Sequence, residues 1–198
     1  KKRYILNVWD SEGVRYEKPK LKIMGIEAVK SSTPAACRTS IKDCLKVIMN
    51  QDEEAAQKFI ADFREEFSSL PIEDISFPRG CNGINKWSHP ATIYSKGTPI
   101  HVRGALLYNF YNKKNKLTHK YPLIQDGEKI KFVYLKTPNK INENVISYLA
   151  TFPKEFGLDK QVDYDLQFSK SFLDPIRVIM DVIGWQPEKV ASLEFLFG

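Results

Sequence analysis

Apolar residues recur at spacings of three and four along three stretches of this 198-residue chain, and prolines and glycines stop the pattern from spreading between them. From Cys37 through Ile41, Cys44, Leu45 and Ile48 to Met49, and from Ala55 through Phe59, Ile60 and Phe63 to Phe67, the repeat is that of a helix with one buried face. Ser31-Ser32-Thr33-Pro34 reads as the start of the first helix, a hydroxyl N-cap with Pro in the first turn. Asp52 reads as the cap of the second, Glu53 and Glu54 favour its positive end, and Pro71 stops it. A third repeat, Phe168, Phe172, Ile176, Ile179, Met180 and Ile183, predicts a helix over 165–183 closed by Gly184.

The rest reads as β structure and loop. Tyr4, Ile5, Leu6, Val8 and Trp9 predict a strand over 3–9, Asp10-Ser11-Glu12-Gly13 a turn, and Val14 to Tyr16 a returning strand, with 21–29 extending the sheet and Gly25 as a break. Pro71, Pro78, Pro90 and Pro99, with Gly80, Gly83 and Gly97, confine 71–100 to loop and short strands. Ile100 to Tyr111 is read as a strand, 112–116 as a polar basic turn, and Ile130 to Leu135 as a strand. The predicted class is α+β.

Charge narrows the function. The net balance is +6 over 1–50, −5 over 51–80, +9 over 81–140 and −4 over 141–198. The two basic blocks also carry Trp, Tyr, Asn, Ser and Thr, which accompany Lys and Arg on phosphate-contacting surfaces, so a polyanion partner is expected. No run approaches the roughly 18 apolar residues of a membrane span, and the basic N-terminus lacks a cleavage site, so no membrane partner and no secretion are expected. Opening without Met on three basic residues in mid-pattern, the chain reads as a piece of a longer protein. Three cysteines, an odd and small number, point to a reducing intracellular setting. His89, His101 and His119 are scattered, with no CxxC or HExxH, so no metal site is expected. Cys37 and Cys44 lie on the apolar helix face and are assigned to packing.

At Lys1-Lys2-Arg3-Tyr4 the chain resembles family B DNA polymerases, in which a KKRY strand ends the palm domain. The likeness continues in order through Met24-Gly25-Ile26-Glu27, Lys30 and Ser31-Ser32, then His101-Val102-Arg103, then Gly127-Glu128-Lys129-Ile130-Lys131-Phe132-Val133. It closes with Asp163-Tyr164 to Lys170, Pro175, Arg177, Ile179 and Gly184, similar to the last thumb helix. The KLKIMGIE and KSSTP strings are most similar to the members from T-even-type phages. Cellular members carry two arginines where this chain has Lys30 and Ser31, so contact there falls to Lys30, Ser31, Ser32 and the helix N-terminus.

The resemblance implies a palm edge over 1–27, a thumb over 28–190 with a helical base and a β-containing tip, and a clamp-binding peptide over 191–198. It implies a C-terminal fragment of a replicative DNA-directed DNA polymerase, working in the cytoplasm of a bacterial host, whose partners are primer-template duplex DNA, a sliding clamp and the remainder of the polymerase chain. The catalytic carboxylates, their Mg2+ ions, the dNTP substrates and the 3′–5′ exonuclease residues would belong to the rest of that chain. Implied DNA contacts are Lys1, Lys2, Arg3, Tyr4, Lys30, Ser31, Ser32, His101, Arg103, Lys113, Lys114 and Lys170. Lys2 would also position the primer end beside the metal site. Asp10 reads either as a turn residue or as a palm carboxylate whose partner lies elsewhere. Ser192, Leu193, Phe195, Leu196 and Phe197 resemble the Leu-x-x-Leu-Phe peptides that grip sliding clamps, and equally suit a helical turn docked on its own core. The competing function is a non-catalytic DNA-binding or clamp-interacting accessory protein.

Overall fold

The computed structural model describes residues 4–26, 28 and 30–189. Its elements in order are β1 (Tyr4–Ser11), β2 (Val14–Met24), α1 (Ala35–Asn50), α2 (Glu53–Ser68), α3 (Ile72–Ile75), β3 (Phe77–Gly80), α4 (Pro90–Ile93), α5 (Ile100–Lys114), β4 (Lys129–Tyr134), β5 (Val145–Tyr148), α6 (Tyr164–Phe168) and α7 (Asp174–Val182), with a π turn over Ser169–Leu173. This is a mixed architecture with small antiparallel sheets, as the predicted α+β class requires. It divides into two units, 1–69 with 168–198, and 70–167.

In the first unit β1 and β2 form an antiparallel hairpin. The predicted four-residue turn shrinks to Glu12-Gly13, because φ of +53° and +79° gives the type I′ twist that lets right-handed strands run up to Ser11 and Val14. Asp10 therefore stands in the ladder opposite Arg15. β2 is also one strand where two were expected. Pro19 breaks nothing, because it lies in the irregular stretch between the Val8–Lys20 and Asp10–Arg15 pairs.

Helices α1 and α2 follow the predicted stripes, burying Cys37, Ile41, Cys44, Leu45 and Ile48, and Ala56, Ile60, Phe63 and Phe67. Asp52 Oδ1 accepts a hydrogen bond from the Ala55 amide at 2.9 Å, as a cap should. The cap position expected to hold a hydroxyl is taken by Pro34 itself, at ψ 143°, whose ring has no acceptor to cap with. The core between α2 and the C-terminal helix is aromatic. Phe63 and Phe172 have ring centroids 4.7 Å apart, Phe67 and Phe168 5.4 Å, and Phe168 and Phe172 5.2 Å. The Arg64 guanidinium covers Phe168 at 4.6 Å.

The predicted helix over 165–183 is present but carries the π turn. Pro175 has no amide hydrogen and its ring would strike the carbonyl four residues back, so the ladder widens and the Asp174 amide donates to Ser169 O instead. Gly184, at φ +74°, ends the helix as expected. Cys37 Sγ donates to Ser171 Oγ at 3.2 Å in the core, and burial pushes the Cys37 and Cys44 thiols up to about 11 and about 12, as packing residues and not nucleophiles.

The second unit is a three-stranded antiparallel sheet in the order β3-β4-β5, with α5 against β5. Here Ile100–Tyr111 is helix, not strand. Val102, Ala105, Tyr108 and Asn112 are buried at helical spacing, but Gly104 and Asn112 occupy buried positions without an apolar side chain, so the stripe is hidden in the sequence. Asn112 is in addition part of the helix, and the predicted basic turn begins only after Lys114. Gly104 is there for closeness: a Cβ would lie 2.4 Å from Ser147 Oγ and 2.9 Å from Ser147 N, and Ser147 Oγ donates to His101 O at 2.7 Å. Gly104→Ala should therefore lower the unfolding free energy by roughly 1–3 kcal/mol despite its gain in helix propensity. A guanidinium unfolding curve of that variant with an unshifted midpoint would contradict this packing.

Candidate nucleic-acid interface

Lys1, Lys2 and Arg3, and the peptide residues Ser192, Leu193, Phe195, Leu196 and Phe197, lie outside the described residues. Tyr4 opens β1 and lines, with Ile26, Ile48 and Val178, an apolar hollow of about 480 Å³. Asp10 is exposed on the strand opposite Arg15.

Lys30, Ser31 and Ser32 precede α1, where the Thr33 amide donates to Lys30 O at 3.2 Å and turns the chain into the helix. The first turn of α1 holds no acidic residue and contains Arg38. The Cys37–Ser171 contact packs this turn against the π segment, which carries exposed Lys170. Among the described residues of the first unit, the sequence-nominated cations Lys30 and Lys170 thus stand on segments that adjoin one helix N-terminus, whose partial positive charge adds to theirs. An anionic oxygen suits that setting.

In the second unit α5 carries the remaining four candidates in two pairs. His101 and Arg103 stand at its start, Lys113 and Lys114 ten residues on, about 15 Å along the axis. Burial holds the His101 pKa below the usual range, Arg79 lowers it further, and a backbone hydrogen bond at Gly80 opposes them. Neutral near pH 7, His101 offers a hydrogen bond and no charge. Arg103 Nη2 donates to Asn144 Oδ1 at 2.7 Å, while its buried Nε has no hydrogen-bond partner. Lys113 and Lys114 are exposed.

Not every cation of the +9 block is available for a ligand. Lys120 pairs with Glu155, which also accepts from Tyr121 OH at 2.5 Å; these two hydrogen bonds, Lys120 first, hold the Glu155 carboxyl down at about 2.

Two features escaped the sequence reading. Lys20 and Lys22 alternate along the regularly paired part of β2 and so share one exposed face, about 6.6 Å apart, with exposed Lys18 just before them. Their signal was the K-L-K alternation at 20–22. Arg79, whose guanidinium lies 5.9 Å from the centroids of both Phe77 and Phe132, stands beside His101 and was hidden because the pairing of β3 with β4 is not visible locally. Among the described residues no three His, Cys, Asp or Glu side chains converge as metal ligands, and no helix is long and apolar enough to cross a membrane.

No family model matches the chain. Among curated proteins it is 33% identical to the DNA-directed DNA polymerase of Enterobacteria phage T4 over 202 aligned residues, and 35% identical to that of Escherichia phage RB69 over 202. Each alignment covers 100% of this chain and 22% of the relative, so the chain spans about a fifth of the length of the proteins it matches.

Proposed function

We propose, from a chain related along its whole length to the T4-type phage DNA-directed DNA polymerases, that it is the palm edge and thumb of such an enzyme and holds the primer-template duplex during synthesis. The whole-length similarity is the observation that carries this reading. The assignment of 1–27 to the palm, 28–190 to the thumb and 191–198 to a clamp-binding peptide belongs to the proposal.

The physical case is one of positioning. A replicative enzyme must slide over any sequence, so its grip has to fall on phosphates and not on base edges. Scattered cations supply that: half-buried Lys30 before α1, and exposed Lys170 on the π segment, Lys113 and Lys114 at the end of α5, and Lys18, Lys20 and Lys22 on β2. Ser31, Ser32 and the first amides of α1 can add neutral hydrogen bonds to phosphate oxygen. Arg103, braced by Asn144, presents its guanidinium in a fixed orientation. Mg2+ and the dNTP are assigned to carboxylates elsewhere in the parent chain, where the metal would stabilise charge on the transferring phosphoryl group. This chain's contribution would be to fix the primer end.

Lys2 is the residue assigned nearest that end. In the intact parent enzyme Lys2→Ala should slow single-turnover nucleotide addition by at least tenfold while changing DNA affinity less than threefold, because misplacement at the primer end acts on the transition state. Normal addition with only weakened binding would make Lys2 another phosphate contact. The reading as a whole is tested on the reading frame upstream of Lys1. SLYPS-like and DTDS-like motifs in frame are expected, and a frame without them would overturn it in favour of an accessory protein.

A further inference from the structure

The face of α5 turned from the sheet carries an aromatic ring with little over it. Leu106, Phe110 and Lys113, at i, i+4 and i+7, share one line of the helix, and Phe110 is 57% exposed. Beside the ring is a hollow of about 380 Å³ whose far wall includes Asn85, Ser88 and Gln125. That wall is fastened to α5: Asn109 Nδ2 donates to Ile124 O at 2.9 Å and the Ile124 amide donates to Asn109 Oδ1 at 2.8 Å. The ring is braced as well. Tyr111 meets it edge-on at 5.1 Å, and Lys114 Nζ lies 5.9 Å from its centroid.

The chemistry of the surroundings selects an occupant. A protein helix would find the apolar walls of Ile84 and Leu123 interrupted by amides and by the Lys113 ammonium group. A planar, hydrogen-bonding, anionic ligand finds a π-face in Phe110, edge partners in Asn85, Ser88 and Gln125, and two cations in Lys113 and Lys114. The surrounding +9 block draws a polyanion to it. A base paired in a duplex has both faces covered by its neighbours; an unpaired one does not. We infer that Phe110, with Lys113 and Lys114, is a stacking platform for an unpaired nucleotide of single-stranded DNA. This rests on the DNA-holding reading and goes beyond it in assigning part of the surface to a strand outside the duplex.

The test is fluorescence anisotropy on this chain at fixed salt, with a labelled oligo(dT) of about 12 nucleotides and a blunt duplex of about 16 base pairs. Phe110→Ala should weaken oligo(dT) binding by about 5- to 100-fold, the worth of one stacked base, and duplex binding by less than twofold. Phe110→Trp should retain oligo(dT) binding and show added fluorescence quenching with oligo(dT) but not with duplex, a readout that does not depend on the alanine variant folding. Equal losses on both DNAs, no loss on either, or absence of the added quenching with oligo(dT) would overturn the inference. A wild-type chain that binds duplex but not oligo(dT) overturns it and leaves the duplex grip standing; one that binds neither overturns both.

Discussion

Raising the salt from about 50 to about 200 mM should weaken duplex binding by this chain roughly a thousandfold, the expectation for about six neutralised phosphates. The slope of log affinity against log salt is about 0.9 per contact, so neutralising Lys30, Arg103, Lys113 and Lys114 together should flatten it by about 3 to 4. The four lie in both units, before α1 and at the two ends of α5. The loss should be uniform over duplex sequences. An unchanged slope, or strong preference for one sequence, would remove the phosphate-grip model. His101, pressed toward its neutral form by burial and by Arg79, should add nothing to the slope near pH 7.

Deleting residues 192–198 from the intact parent should leave short, distributive synthesis unchanged and abolish long products made with a sliding clamp. Burial of Leu193, Leu196 and Phe197 in a partner's pocket can each contribute roughly 1.5 to 3 kcal/mol before ordering costs, enough for useful and reversible attachment. Tethering to a ring around DNA then multiplies the chance of rebinding through effective concentration without altering each addition step. If the peptide instead completed the core of its own chain, the truncation would lower the melting temperature and leave clamp stimulation per folded molecule intact. Product length and melting temperature measured on one truncated enzyme separate the two.

The helices that follow a single rule were legible in the sequence. Asp52 with its following glutamates, and the Phe63–Phe67 stripe, delivered α2 as predicted, and the strand at Ile130 appeared as β4. α5 was not legible, because its close approach to β5 demands Gly104 and its Asn112 amide is buried to hold the Tyr121 carbonyl at 2.8 Å; both look polar or neutral in a search for apolar period. The candidate interface divides the same way. Cations are visible as charge blocks, but whether a given one is available depends on partners far along the chain, as Lys120 finds Glu155 and Arg103 finds Asn144.

Phe168, Phe172, Ile176 and Met180, all fully buried, are spaced four residues apart, whereas a regular helix turns in 3.6. Each step of four therefore overshoots by about 40°, and three steps would carry Met180 about 120° from the line set by Phe168. The π turn holds one extra residue, which unwinds the count by about 100° and brings the four side chains back to one face. It acts as a phase correction. What this segment cannot tolerate at its present residue number is thus a regular α-helical path: closing the π turn without removing a residue would keep every apolar side chain in the sequence yet turn those of α7 about 100° away from the core they now complete.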